Sequence, residues 1–424
     1  MLKTKNTKLN YTARQLKLPL EIEKLIDISD PVYTFCEVID HIDLSKYFVV
    51  KEYKTGRPGC DKEKLLKVIL FAFMENGYCS LRHIEKLCKT DIRYMYLLDE
   101  MPAPSFVTIG KFIRNELALT VDQLFHDLNE YIFKESKVDL NHTYIDGTKI
   151  EANANRYTWV WKKASLKNRF KVFDKISLLI DDMNNQVLQF LGVKLEKRNE
   201  YAIEYTEELL TLYKNTTSLD LSTFVSGRGH RKSIYQRQYQ ELEGYLKRLK
   251  KYAVQIEICG NKRNSYSKTD HDATFMRLKK DYMGNDQLLP AYNLQAAVCD
   301  EYIAVLDVKQ YASDMDCFVP LMEKFNAIYG HYPEYPVADA GYGSFNNYLY
   351  CEEHNMQKYM KFTMFKKETS DKKYHENPFR AVNFKIDETG TILCPNNKKF
   401  VFQSKKPVPR NKYGRTEEIY ECES

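Results

Sequence analysis

Apolar residues recur every three or four positions between Asp61 and Ile132, the period of helices that bury one face. Asp61 is placed to cap a helix running to Asn76, with Gly77 as its stop. Ser80 caps the next, turning Leu81, Ile84, Leu87 and Cys88 inward. After Pro102 and Pro104 break the pattern, Thr108 opens a short helix carrying Lys111 and Arg114. Thr120-Val121-Asp122-Gln123 reads as a capping box for a further helix burying Leu124, Phe125, Leu128 and Ile132. Residues 1–55 form an arm with weakly helical pieces near Ile22 and Val32, and Gly56-Arg57-Pro58-Gly59 marks a turn. An all-helical domain over 56–138 follows from this pattern.

From Tyr144 the period falls to two. Tyr144-Ile145-Asp146-Gly147-Thr148 reads as a strand, within which Asp is disfavoured. Asp146 therefore either ends the strand and starts a turn with Gly147, or is a metal ligand. A helical insertion over about 158–280 follows, with a helix from Phe170 to Leu191 and another from Arg231 to Cys259. The second places Tyr235, Tyr239, Leu242, Leu246, Leu249, Ala253 and Ile256 at helical spacing and would be about 40 Å long. Together they predict an antiparallel hairpin. Alternation resumes over Ala291–Cys299, with Tyr292, Leu294, Ala296 and Val298 on one face. Asp300-Glu301 turns the chain, and the apolar run Tyr302–Val308 suits a buried central strand, with Asp307 as a strand-end acid.

Further on, a helix spans about Cys317–Tyr329, with Phe318, Met322, Phe325 and Ile328 inward. Pro336-Val337-Ala338 is a strand ending at Asp339 before the glycine-rich turn Gly341-Tyr342-Gly343. A helix near Ser344–Asn355 and a strand over Lys358–Met364 complete a core over 139–365. Beyond Lys366 the chain is basic and aromatic, with strand-like pieces at Ala381–Ile386 and Lys399–Phe402.

Composition narrows the class. A chain of 424 residues, 43% hydrophobic and 29% charged, fits a multidomain globular protein. The longest apolar run, Val68–Met74, is too short to span a bilayer, so no membrane partner is expected and the cytoplasm is the default. Ten cysteines without a Cys-x2-Cys pair indicate neither a disulfide framework nor a zinc site. The net charge of +6 is unevenly placed. Residues 156–280 hold 25 Lys+Arg against 14 Asp+Glu, whereas the first 135 balance at 20 against 20. Arg228 and Arg231 sit in a flexible loop, and Lys247, Arg248, Lys250 and Lys251 crowd one stretch of helix. Such residues either track a phosphate backbone or solvate a helix face.

Two acids carry the chemistry. Asp146 and Asp339 are both strand-borne, at the kind of strand end where α/β sheets build their sites. Together they suit hard divalent cations, and a metal pair there would clamp the attacking and leaving oxygens of a phosphoryl displacement. Asp270 and Asp272 read instead as caps of a short helix carrying Phe275 and Met276. His142 and His271 lack partners at ligand spacing and read as structural. Trp159 and Trp161, beside Lys162-Lys163, suit base stacking or helix-start packing.

Three motifs, IDGTKIEANANRYTWVWKK from Ile145, SKTDHDATFMR from Ser267 and VADAGYGSFNNY from Val337, resemble the bacterial insertion-sequence transposases of the DDE class. GRPGCDKEKLLKVILFAFMENGYCSLRHIEKLC from Gly56 resembles their N-terminal helical domain. The resemblance implies an α+β multidomain protein: a helical domain for DNA binding or dimerisation, then a ribonuclease-H-like mixed sheet with a helical insertion and a partial β-rich insertion at 366–424. It also implies two Mg2+ or Mn2+ ions, double-stranded DNA as partner (terminal repeats and target), a homodimer or higher synaptic multimer, and work at the nucleoid. Asp146 and Asp339 match the family's two Asp positions. Its third acid is a Glu on a later helix, in a Tyr-x2-Arg-x3-Glu context after a cysteine cluster. No segment from Asp339 onward matches, and Glu421-Cys422-Glu423-Ser424 resembles only the first step of that cluster. The expectation is a chain cut before its catalytic Glu, weak or inactive alone, with Glu352 and Glu353 as the nearby substitutes. The alternative is a DNA-binding regulator of the complete enzyme.

Overall fold

The computed structural model describes residues 22–48, 60–99, 101–227, 229–278, 284, 287–408, 411 and 413–423, in two compact units divided between Val138 and Asp139. The turn expected at Gly56–Gly59, and Arg228, lie outside the described residues.

The first unit is helical: α1 (Pro31–Asp40), α2 (Lys62–Asn76), α3 (Leu81–Thr90), α4 (Ile92–Leu98), α5 (Phe106–Phe112) and α6 (Ala118–Ser136). Asp61 caps α2 by accepting the Glu63 and Lys64 N–H groups at 2.9 and 3.2 Å, and Gly77 ends it at φ 61°. Leu65, Leu66, Val68, Ile69 and Phe71 of α2 fill the core with Ile84, Tyr94, Leu98 and Ile109. Two caps fall elsewhere than expected. Ser105, not Thr108, caps α5. Thr120 caps nothing, because a π-helical turn (Ile113–Leu117) carries the chain unbroken into α6. Its hydroxyl instead donates to the Tyr47 carbonyl at 2.9 Å, so a tertiary contact has taken the group that a cap would need.

The second unit begins with β1 (His142–Glu151). Asp146 therefore lies inside a strand rather than at its end. A short ribbon, β2 (Trp159–Trp161) paired with β3 (Ser265–Ser267), closes the base of the helical insertion. The insertion holds α7 (Lys162–Gln186), α8 (Ile203–Thr216) and α9 (Ile234–Cys259) around its own core of Phe173, Ile176, Ile180, Leu209, Tyr213, Leu242 and Leu249. Helices α7 and α9 pack together as the hairpin pattern requires, and α8 joins them. Tyr213 donates to buried Gln238 at 2.6 Å. Tyr235 is 42% exposed, outside the stripe that periodicity gave it.

The main sheet runs β6 (Tyr302–Lys309), β5 (Leu288–Cys299), β1, β7 (Tyr335–Ala338), β8 (Tyr359–Met360), with β4 (Thr274–Arg277) alongside the start of β5. Strands β1, β5 and β6 are antiparallel, and β7 and β8 run parallel to β1. This is the mixed sheet of an α+β, ribonuclease-H-like core. Helices α10 (Phe318–Tyr329) and α11 (Phe345–Glu353) connect its second half. Ile328 is only half-buried, while Leu321 joins Phe318, Met322 and Phe325 inside.

Four strand-level expectations are corrected. Residues 274–277 form β4, not a helix; Asp270 accepts from the Tyr292 hydroxyl at 2.6 Å and Asp272 from Gln310 at 2.9 Å. The apolar run of β6 is an edge strand, with Val308 58% exposed, and Asp307 sits within it, paired to Lys309 at 2.9 Å. The strand at Lys358–Met364 shrinks to β8. In β5 the fully buried face is Ala291, Asn293, Gln295, Ala297 and Cys299, not the more apolar alternate. Trp159 packs edge-on against Phe275 at 5.8 Å, and His142 stacks on Tyr335 at 4.6 Å while meeting Asp139 at 2.6 Å. Past the core, α12 (Phe365–Ser370) and α13 (Lys372–His375) lead to two ribbons. These are β9 (Lys385–Ile386) with β10 (Ile392–Leu393), and β11 (Phe400–Pro407) with β12 (Thr416–Cys422).

Candidate active site

The parallel register of β1 and β7 pairs Thr143 with Pro336, Tyr144 with Val337 and Ile145 with Ala338. One step further along each chain stand Asp146 and Asp339. They occupy the same level of adjacent strands, whose spacing is about 4.8 Å. Both carboxylates are exposed. Asp146 Oδ1 accepts the Gly147 N–H at 2.8 Å, and Asp339 Oδ1 accepts the Gly341 N–H at 2.8 Å. Each acid is thus pinned by the backbone that follows it.

Behind the pair lies a buried polar floor. Tyr342, three residues past Asp339, is 1% exposed and donates its hydroxyl to Gln295 Oε1. Burial raises its pKa first, followed by the negative fields of Asp314, Asp146 and Asp339, so the phenol stays protonated. Gly147 rests directly on this floor. A Cβ there would meet Gln295 Nε2 at 2.5 Å, Tyr342 Oη at 3.0 Å and Asp314 Oδ1 at 3.1 Å. Gly343 closes the loop equally tightly, since a Cβ would overlap the Lys361 carbonyl oxygen.

Residues 20–115 match a family model described as Transposase domain (DUF772), and residues 263–415 match one described as Transposase DDE domain. The chain belongs to the insertion-sequence transposases of the DDE class. The second match contains Asp339 but begins after Asp146, which β1 brings to it through the fold. No curated protein and no solved structure matches this transposase.

Transposases act on DNA, which gives the partner in general terms. The side chains expected to touch it are distributed unevenly. Lys111 and Arg114 are exposed on α5 and the following π turn, and Arg231 is exposed before α9. On α9, Lys247 pairs with Glu243 at 2.9 Å and Lys250 with Glu207 at 2.5 Å. Arg248 lies 5.8 Å over the Tyr245 ring, and Lys251 is exposed.

Glu352 and Glu353 occupy the last turn of α11, about 10 Å along the axis from its start beside the Asp339 loop. Glu352 pairs with Lys358, and Glu353 accepts from Tyr413 at 3.0 Å. Among the described residues, one group of three ligand-type side chains lies within 4.8 Å: His126, Asp127 and Glu130 of α6, in the helical unit. Asp127 there already accepts hydrogen bonds from Tyr47 and Gln123. No helix among the described residues is long and apolar enough to cross a membrane.

Sequence reasoning missed Asn293, Gln295, Asp314 and Tyr342. The available signal was two amides alternating within an otherwise apolar strand, a pattern that more often marks a solvent face.

Proposed function

We propose that this transposase hydrolyses phosphodiester bonds and transfers strands at the ends of its element, with Asp146 and Asp339 as the carboxylates that hold divalent metal. The single observation carrying this reading is their equal level on adjacent parallel strands. Two exposed carboxylates on rigid backbone suit Mg2+ or Mn2+, which take oxygen ligands. When bound, the metal pair supplies Lewis-acid activation of the phosphate and of the attacking water. The chain's own part is placement. Strand pairing fixes Asp146, the Gly341 N–H fixes Asp339, and the closed loop beyond keeps both facing solvent where DNA enters.

Two carboxylates hold a metal pair less completely than the three of the family, so strand transfer by this 424-residue chain is expected to be weak. DNA contact rests on α5 of the helical unit and on Arg231 and Lys251 of the insertion. We further propose a homodimer or higher multimer as the synaptic form, acting at the nucleoid in the cytoplasm.

Nicking of plasmid bearing element ends, with Mn2+ or Mg2+, tests the site. Asp146→Asn and Asp339→Asn should each lower the nicking rate at least a hundredfold while leaving DNA binding intact. Wild-type rates in both variants would refute the assignment. Retained binding with no nicking by the wild-type chain itself would favour the regulator reading.

A further inference from the structure

The polar cluster beneath Gly147 is a costly thing to build into a sheet. Asn293 and Gln295 are both fully buried, and amides in such a place destabilise unless every donor and acceptor is matched. Here they are matched closely. Gln295 Nε2 donates to Asn293 Oδ1 at 2.8 Å and to Asp314 Oδ1 at 3.3 Å. Asn293 Nδ2 donates to Asp314 Oδ1 at 2.7 Å and to the Tyr311 carbonyl at 3.1 Å. Gln295 Oε1 receives the Tyr342 hydroxyl. An apolar floor of the same shape would fold as well without these constraints, so what the network adds is a fixed geometry.

That geometry links the two acids. Tyr342 is joined to Asp339 by a tight turn, in which the Tyr342 N–H donates to the Asp339 carbonyl at 3.2 Å. Asn347, itself buried, holds the Tyr342 carbonyl at 2.7 Å and the Met315 carbonyl at 3.0 Å. On the other side Gly147, next to Asp146, has no room for a Cβ above Gln295. One glutamine therefore touches both the strand of the first acid and the loop of the second.

We propose that Tyr342 and Gln295 are positioning residues, which lock the Asp339 loop to the Asp146 strand and so set the separation at which the two carboxylates hold a divalent cation. The proposal rests on the metal reading of the Asp pair, and its test separates the two. Neither side chain is placed to ligate; both act through the backbone of the acids.

Mn2+ affinity of the full chain, measured by titration calorimetry, and its melting temperature without metal should be compared across variants. Asp146→Asn and Asp339→Asn lose Mn2+ binding. Tyr342→Phe and Gln295→Met weaken it by about tenfold or more, the usual effect of removing a support behind metal ligands. Should Gln295→Met fail to fold, Tyr342→Phe decides alone. If the Asp variants lose Mn2+ while Tyr342→Phe binds it as tightly as wild type, whatever its melting temperature, only the positioning role is overturned. If wild type and both Asp variants respond to Mn2+ alike, the site reading fails and the proposal with it.

Discussion

At Gly147 a single missing methyl group decides whether β1 can lie on its floor. The three polar atoms around its Cβ position, at 2.5, 3.0 and 3.1 Å, belong to Gln295, Tyr342 and Asp314, none of which can retreat without breaking a buried hydrogen bond. Gly147→Ala should therefore destabilise the protein by about 1–3 kcal/mol, as overpacking does. Urea unfolding checks this, and an unchanged midpoint would mean that the floor is looser than the contacts indicate. Asp146 was legible in the sequence because an acid in a β-branched strand demands a reason. Gln295 was not, because burial of a polar residue depends on what a distant loop supplies. Tyr342 lies 47 positions away, and no local pattern announces it.

Among the elements, caps and period were the most readable signals. Asp61 and Ser80 begin their helices where sequence places them, since each accepts backbone N–H donation from its own next turn, and Gly77 ends α2 at a positive φ. Helix α4, which pattern reading passed over, is capped in the same local way and adds a tertiary ion pair. Asp91 caps it through the Arg93 N–H at 2.9 Å and also takes the Arg93 guanidinium at 2.9 Å, while Glu75 takes the other end at 2.7 Å. Burial pushes the Asp91 carboxyl pKa up, but the Arg93 side-chain and backbone hydrogen bonds outweigh it and the net shift is downward. A folded pKa below the unfolded value of about 3.9 stabilises above that pH, and the gain is lost as pH falls through the folded pKa. Asp91→Asn keeps a capping side chain but loses the charge. It should cost about 1–2 kcal/mol at pH 7 and converge on wild type at a pH low enough to protonate Asp91 in the folded protein. Equal deficits at both pH values in denaturant titrations would remove the ion pair from the account. The misread edge strand β6 has a related cause: an apolar run signals burial, but it does not say whether neighbours lie on one side or both.

Over the whole molecule, charge separates from chemistry. The helical unit to Val138 carries 21 Lys+Arg against 20 Asp+Glu, and the second unit 43 against 38. Within the second unit, residues 156–280 hold +11, which leaves −6 for the sheet and the segments beyond it. A net negative charge over those residues favours cations at Asp146 and Asp339, and the function proposed above assigns phosphate contact to the insertion and the helical unit. Among the insertion's cations, Lys247 and Lys250 are engaged by glutamates, whereas no ion pair among the described residues holds Arg231 or Lys251. Binding of an element-end duplex, followed from 50 to 200 mM salt, should separate the two sets. Arg231→Ala with Lys251→Ala should flatten the slope of log affinity against log salt by about 1.8, two contacts at about 0.9 each. Lys247→Ala with Lys250→Ala should flatten it less, because each lysine must first leave its glutamate before it can meet a phosphate. The reverse ranking would place the DNA path on the other face of α9 and move the basic track away from the residues proposed for it.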